Sequence, residues 1–132
     1  MSHSSEFINP AVPPSGAGCA ECTASGDWWF HLRRCAQCGH VGCCDDSLNR
    51  HARKHYEETG HEIIQSFEPG EGWFYDYRTD EEIRGAPRLA DPQAHPHDQP
   101  VPGPRGVVPR NWQAILMARN EREQLERNDR TD

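Results

Sequence analysis

The sequence contains no long apolar run. Its 132 residues are 34% hydrophobic, and no stretch approaches the roughly 18 consecutive apolar residues that a membrane-spanning helix needs. The opening residues, MSHSSEFINPAVPPSG, also lack the charged start and apolar centre of a secretory signal peptide. We therefore expect a cytoplasmic protein that has no membrane partner.

Positive charge is scarce as well. The chain has 14 Lys and Arg residues against 21 Asp and Glu residues, which gives a formal net charge of -7, and Lys54 is its single lysine. Affinity for nucleic acids depends on basic side chains that neutralise phosphates. We therefore expect no nucleic-acid partner.

Cysteine is absent from most of the chain. All six cysteines lie between positions 19 and 44, and histidines are interspersed with them or follow soon after. Six cysteines could form three disulfides in a secreted miniprotein. The two CxxC pairs, the neighbouring histidines and the missing signal peptide instead favour coordination of metal by thiolates in a reducing compartment.

The rest of the composition divides the chain into four parts. Its 11 prolines and 11 glycines indicate that much of it cannot bury a core. We expect a disordered lead (1–17), a metal-binding domain (18–85), a proline-rich linker (86–110) and a C-terminal helix (111–129).

Within the domain, apolar alternation indicates short strands. They are expected at WWFHL (28–32), EIIQSF (62–67) and WFYDY (73–77). A helix that begins after the acidic pair at 45 and 46 and runs to about residue 58 would separate the first two. The sequence thus predicts an α+β domain in which a short antiparallel sheet packs on one main helix.

More candidate ligands are present than two metal ions can use. Eleven Cys and His side chains between positions 19 and 61 compete for the eight places of two tetrahedral zinc sites. His31 lies inside a predicted strand and His40 directly follows a CxxC turn, so neither is favoured as a ligand. The two CxxC pairs, one of Cys43 or Cys44, and three histidines remain.

Spacing permits two pairings of these ligands. In a sequential scheme the two CxxC pairs form one all-thiolate site, and the remaining thiol joins the three histidines. In a crossed scheme one ion has Cys19, Cys22, Cys43 and His51, and the other has Cys35, Cys38, His55 and His61. Coordination chemistry alone does not choose between the two schemes.

The ligand pattern resembles a known family. The run CxxC, CxxCxxxxC and HxxxHYxETGH, over residues 19–82, resembles the UBP-type zinc finger (ZnF-UBP or BUZ domain), which also occurs in short prokaryotic proteins. The resemblance implies the crossed pairing, two Zn²⁺ ions, and Cys43 rather than Cys44 as a ligand. Four protein ligands would fill each site and leave no position for a catalytic water, so we expect no enzyme activity.

The resemblance also implies a ligand. Well-characterised family members bind the free C-terminal carboxylate and terminal Gly-Gly of ubiquitin in a pocket of aromatic residues and an arginine. It implies ligand-binding roles here for Trp29, Tyr75, Tyr77 and Asp80. The family's arginine follows the third cysteine, whereas here Cys43 precedes a second cysteine and two aspartates, whose charge would repel a carboxylate.

Three functions are compatible with these features. The favoured one is a non-catalytic, monomeric module that binds a protein or peptide C-terminal tail, with Arg33, Arg34 or Arg78 replacing the missing arginine. A second is a structural zinc fold whose C-terminal helix, residues 112–127, engages a partner protein. The least favoured is an enzyme that uses the adjacent cysteines for thiol redox chemistry or a metal for hydrolysis.

Overall fold

A five-stranded antiparallel sheet forms the centre of the domain. The computed structural model describes residues 7–130 of the chain, and side chains as far as residue 128. Within that range the strands are β1 Leu32–Cys35, β2 Val41–Cys43, β3 Ile63–Ser66, β4 Phe74–Asp76 and β5 Glu81–Ile83. Their order is β2-β1-β3-β4-β5, and each neighbouring pair is antiparallel. The predicted α+β class with an antiparallel sheet is confirmed.

Three helices lie within the described residues. They are α1 Ala20–Ser25, α2 His51–Thr59 and α3 Trp112–Arg130. Helix α2 begins later than the sequence predicts because Arg50 has a left-handed backbone conformation, with φ 53°. It ends at Gly60, whose positive φ of 79° suits a residue without a side chain and lets its N–H donate to the Tyr56 carbonyl.

The hairpin between β1 and β2 carries the second CxxC pair. The Cys35 N–H donates to the His40 carbonyl, and the Gly39 N–H donates to the Cys35 carbonyl. Gly39 has φ 83°, and a Cβ there would lie 2.2 Å from the carbonyl oxygen of Pro13. Only glycine therefore fits both the turn and the close approach of the N-terminal segment.

The first predicted strand is wrong over most of its length. Residues 28–31 lie outside the sheet, although Trp29 forms an isolated bridge to the proline-rich segment. The alternation has another cause. Trp29 points into the core, whereas Trp28 and Phe30 pack edge to face against Trp112 of α3, at ring distances of 6.2 and 5.3 Å.

Two buried clusters form the core. One contains Ala36, Ile63, Phe74 and Leu89. The other contains Cys19, Cys22, Trp29, Leu32, Val41, Cys43 and Phe67. Three of these seven residues are candidate metal ligands, so one metal site is also part of the hydrophobic core.

Segments that flank the domain pack on its sheet. Arg34 is 0% exposed, and its guanidinium donates to the carbonyls of Val12, Ala90 and Pro92 at 2.9, 2.7 and 3.1 Å. One side chain thus joins the N-terminal segment and the proline-rich segment to β1. Residues 1–6 of the predicted disordered lead lie outside the described residues, and the predicted domain boundaries stay predictions.

Helix α3 packs against the loop between β2 and α2. Arg119 is 9% exposed and donates to the carbonyls of Ser47 and Leu48 at 2.8 and 2.9 Å. Arg50 and Glu123 form a bidentate ion pair with both distances at 2.9 Å. No helix in residues 7–130 has the length and apolar character to cross a membrane.

Candidate metal centres and an adjacent aromatic cavity

The first Cys/His cluster, site 1, lies where α1, β2 and α2 meet. It contains Cys19, Cys22, Cys43 and His51. The three sulfurs are 3.2, 3.3 and 3.5 Å from Nδ1 of His51, and the sulfurs of Cys22 and Cys43 are 3.8 Å apart. A tetrahedral zinc has S–S edges of about 3.8 Å and S–N edges of about 3.6 Å, from its bond lengths. The donor atoms therefore lie within a few tenths of an ångström of the separations in a tetrahedral zinc site.

Local backbone structure places these donors. Cys19 is the N-cap of α1, and its carbonyl accepts the Thr23 N–H. The left-handed conformation of Arg50 turns the chain so that His51 opens α2, and the His51 N–H then donates to the sulfur of Cys43 at 3.2 Å. A backbone N–H on a sulfur stabilises its thiolate form, which is the form that binds metal.

The cysteines of site 1 differ in the pKa of their thiols. Hydrogen bonds from Cys19 and Cys22 lower the pKa of Cys43 to about 4. Hydrogen bonding to Cys19 and then to Cys43 raises the pKa of Cys22 far above its ordinary value. Three thiolates so close together would repel one another, so a divalent cation is what allows them to ionise together. The donor set fits Zn²⁺.

The second cluster, site 2, contains Cys35, Cys38, His55 and His61. Cys35 lies 3.6 Å from Nδ1 of His61, and Cys38 lies 3.3 Å from Nε2 of His55. Burial, with smaller contributions from His40 and His61, lowers the pKa of His55 to about 4, so its imidazole is neutral and can act as a ligand. Burial raises the pKa of the Cys35 thiol to about 11. The two clusters fit two zinc ions in the crossed pairing.

The histidines that were not favoured as ligands lie outside both clusters. The ring of His40 stacks on His55 at 4.2 Å, and its Nε2 lies 2.7 Å from the Glu21 carboxylate. His31 instead pairs with Glu68 at 3.0 Å. His40 therefore contacts the ring of a candidate ligand by stacking and belongs to neither cluster.

The adjacent cysteines have different environments. Cys43 belongs to site 1, whereas Cys44 lies outside both clusters. Cys44 is 4% exposed, and its sulfur lies 3.4 Å from the Ser47 hydroxyl. Cys43 is thus a candidate metal ligand, whereas Cys44 contacts the loop that follows β2.

An aromatic cavity of about 180 Å³ adjoins Cys44. It is lined by Arg33, Cys44, Asp45, Asp46, Ile64, Trp73, Tyr75 and Tyr77. The cavity is smaller than the roughly 300–1,000 Å³ of sites for drug-sized molecules. Its size suits a thin segment, such as the end of a peptide.

Arg33 brings a positive charge to this cavity. Its guanidinium lies over the Trp73 ring, 4.6 Å from the centroid, and Nη1 lies 3.4 Å from the Ser66 hydroxyl. None of the ion pairs among residues 7–128 involves Arg33. Of the other arginines considered from the sequence, Arg34 is buried elsewhere and Arg78 pairs with Glu62 at 3.1 Å.

The first aspartate in the cavity wall already has a cationic partner. The Asp45 carboxylate accepts three hydrogen bonds from Arg53, at 3.0, 3.0 and 2.7 Å. Arg53 in turn stacks over the Tyr77 ring at 4.6 Å. The repulsion that the sequence indicates for a carboxylate is therefore partly compensated, which could not be recognised without knowing that Arg53 faces Asp45.

The four residues assigned to ligand binding are not all brought together. Tyr75 and Tyr77 line the cavity, with ring centroids 5.5 Å apart. Trp29 is 3% exposed, belongs to the core around site 1 and does not line the cavity, where Trp73 lies instead. Asp80 is exposed and accepts a hydrogen bond from the Tyr75 hydroxyl.

A larger cavity of about 640 Å³ lies between residues 14–17 and 92–97. Buried His95 contributes to its wall, with Nε2 2.8 Å from the Glu68 carboxylate and Nδ1 2.8 Å from the Pro96 carbonyl. Both ring nitrogens of His95 are therefore engaged within the chain. The other lining residues are mainly apolar, so this cavity lacks the directed polar group that the smaller one has in Arg33.

Comparisons with known proteins agree with this geometry. A family model described as "Zn-finger in ubiquitin-hydrolases and other protein" (zf-UBP) matches residues 19–87. The solution NMR structure of protein RPA1320 from Rhodopseudomonas palustris is similar, with 42% sequence identity and a TM-score of 0.58, over 77% of this chain and 95% of that one. No curated protein sequence matches the chain.

Proposed function

Because the chain belongs to the zf-UBP family of zinc fingers, we propose that it is a non-catalytic module that binds the free carboxyl terminus of a protein or peptide. The observation that carries this proposal is the position of Arg33. Its guanidinium lies against Trp73 in a narrow aromatic cavity and forms no ion pair with the acidic side chains described. A ligand carboxylate would supply the missing anion.

The stacking of Arg33 favours this role. A guanidinium that lies over an indole is held in place by the ring. Nη1 of Arg33 donates to the Leu32 carbonyl at 3.2 Å and lies 3.4 Å from the Ser66 hydroxyl, which leaves the edge formed by Nε and Nη2 for a carboxylate. Such an edge can donate two parallel hydrogen bonds, which are stronger than those between neutral groups. Arg33 in β1 thus compensates for the arginine that the family carries after its third cysteine.

The shape of the cavity favours a tail of small residues. Tyr75 and Tyr77 form aromatic walls around a volume of about 180 Å³. A Gly-Gly terminus has no side chains and can enter a narrow slot while its backbone contacts the aromatic faces. The resemblance to ubiquitin-binding zinc fingers implies the same type of tail.

The two metal sites support the fold in this proposal and do not take part in chemistry. Each cluster offers four protein donors, which completes the tetrahedral coordination of Zn²⁺ and leaves no position for substrate or water. Cys44, the thiol outside the clusters, is buried, which disfavours a redox role. Both features support a binding module over an enzyme.

The alternative, in which α3 is the surface that binds a partner, has less support. The large residues Trp112 and Arg119 of α3 already contact Phe30 and the loop carbonyls of this chain. A partner that used these residues would have to displace those contacts.

The proposal is tested by titrating the zinc-loaded full-length chain with two peptides that end in Gly-Gly. One has a free carboxylate and the other a C-terminal amide. We expect the free peptide to bind, and amidation to weaken binding about tenfold or more, since hydrogen bonds to charged groups contribute about 1.5–3 kcal/mol. Arg33→Gln should cause a similar loss, whereas Arg84→Gln, at an exposed arginine outside the cavity, should not. Equal binding of both peptides, or of neither, would contradict the proposal.

A further inference from the structure

We propose that the C-terminal helix α3 controls the aromatic cavity through a chain of polar contacts that runs from Glu123 to the wall formed by Tyr77. The contacts pass through the loop that connects β2 to α2. For its effect on binding, this inference rests on the proposed function. For its effect on the Tyr77 ring, it depends only on the structure.

Helix α3 is held on this loop by apolar and polar contacts. Trp112 packs edge to face on Trp28 and Phe30, at ring distances of 6.2 and 5.3 Å. Two turns further on, Arg119 reaches the carbonyls of Ser47 and Leu48 at 2.8 and 2.9 Å. Carbonyls in an irregular loop need donors when they are buried, so Arg119 fixes the loop as well as the helix.

The charged contact lies one turn beyond Arg119. Both carboxylate oxygens of Glu123 accept hydrogen bonds from Arg50, each at 2.9 Å. The third side-chain nitrogen position of Arg50, Nε, donates to the Asp45 carbonyl at 2.8 Å. A single planar guanidinium thus joins α3 to the backbone of the residue that begins the cavity wall.

The second half of the chain of contacts runs from Asp45 to the ring. The Asp45 carboxylate accepts three hydrogen bonds from Arg53, the shortest at 2.7 Å. Arg53 lies 4.6 Å over the Tyr77 ring, and Tyr56 stacks on the same ring at 5.4 Å. Two side chains of α2 therefore contact the Tyr77 ring, and one of them is a guanidinium whose position depends on Asp45.

Release of α3 would change the hydrogen-bond partners of Arg50 and, through Asp45, those of Arg53. Without Glu123, the Arg50 guanidinium has Asp45 and Asp46 beside it, since all three line the same polar cavity under α3. Arg50 would then compete with Arg53 for the Asp45 carboxylate. Arg53 would lose part of the interaction that holds it over Tyr77, and the cavity would lose its preorganised wall. Docked α3 thus favours tail binding, and a partner that captured α3 would weaken it.

The first experiment compares Glu123→Gln with Glu126→Gln in the zinc-loaded full-length chain. Both variants remove one negative charge from α3, but Glu126 is exposed and forms none of the contacts described above. We expect the NMR signals of the Tyr77 ring to shift in Glu123→Gln only. Affinity for the Gly-Gly peptide should fall about threefold to tenfold in the same variant, the usual size of such coupling. Identical Tyr77 signals in the two variants would overturn the inference.

A double-mutant cycle tests the route itself. Glu123→Gln is combined with Arg53→Lys, which keeps the charge but loses the planar stacking group. If both act through one chain of contacts, the loss of affinity in the double variant is smaller than the product of the two single losses. Independent effects would overturn the route. If the wild-type chain binds neither peptide, the proposed function fails, and the Tyr77 signals still decide whether α3 is coupled to the cavity.

Discussion

The two metal sites use the same kinds of donor in different surroundings. In site 1 the three cysteines are 0% exposed and pack with Trp29, Leu32, Val41 and Phe67. In site 2 Cys35 is buried but Cys38 is exposed, and the two histidines are half-buried, as His51 of site 1 is. The comparison indicates that site 1 is part of the core, whereas site 2 fastens a surface hairpin to the main helix.

The helix α2 joins the two sites. His51 in its first turn belongs to site 1, and His55, one turn later, belongs to site 2. Residues four apart lie on the same face of a helix, so both imidazoles point toward the sheet side of the domain. Each site also joins an early CxxC pair to this later helix, which explains how a chain with little aliphatic core can hold one structure.

The largest effect expected from this comparison concerns the adjacent cysteines. Cys43→Ser removes a ligand of the buried site and should unfold the domain, because structural zinc contributes about 10–16 kcal/mol to such folds, about as much as or more than the 5–15 kcal/mol of a whole domain. Cys44→Ser, a matched change one residue away, should keep the fold and both ions. Circular dichroism and zinc content check this prediction. Unfolding of the second variant but not the first would contradict the assignment of Cys43 to site 1.

A smaller effect is expected at the exposed site. Cys38→Ser should remove the ion of site 2 and loosen the turn between β1 and β2, while the buried tryptophans keep their near-ultraviolet signal because site 1 still holds the core. In the wild-type chain a chelator should remove zinc in two phases, with site 2 first, since its ligand Cys38 is exposed.

The Cys38→Ser variant also shows which site gives which phase of zinc release. Cys38→Ser should lack the fast phase of zinc release and keep the slow one, as monitored with a coloured chelator. A single phase in the wild-type chain, or a fast phase that survives in Cys38→Ser, would remove the distinction between a core site and a surface site.

The metal sites could be predicted from the sequence further than the cavity could. CxxC and HxxxH are local patterns, and zinc accepts few donor types, so seven of the eight ligands could be selected from eleven candidates, whereas the choice of Cys43 over Cys44 came from the resemblance. The spacing still allowed two pairings, and only the resemblance favoured the crossed one. The reason is that the pairing depends on where α2 lies against the β1–β2 hairpin, which is a tertiary property.

The cavity depends on contacts between distant segments. Arg33 lies on β1 and Trp73 directly precedes β4, and the two meet because β3 pairs with both strands. Trp29 and Trp73 could not be distinguished by residue type, since both are tryptophans inside a predicted strand. The short elements α1, β2 and β5 were not predicted either, because elements of 6, 3 and 3 residues show too little periodicity.

The smallest expected effect concerns His40, which contacts a ligand of site 2. His40 stacks on the ligand His55 and is held by Glu21, but it donates nothing to either cluster. His40→Ala should leave two ions bound and increase the rate of zinc release from site 2 by about tenfold, the lower end of the effect of outer partners on metal affinity. The slow phase from site 1 should not change, because His40 does not contact the imidazole of His51. Glu21→Gln is not a matched test, since the Glu21 carboxylate also lies 3.9 Å from the Cys19 sulfur of site 1. If His40→Ala accelerated the slow phase as much as the fast one, the two sites would form one cooperative unit, and their different burial would have no consequence for metal retention.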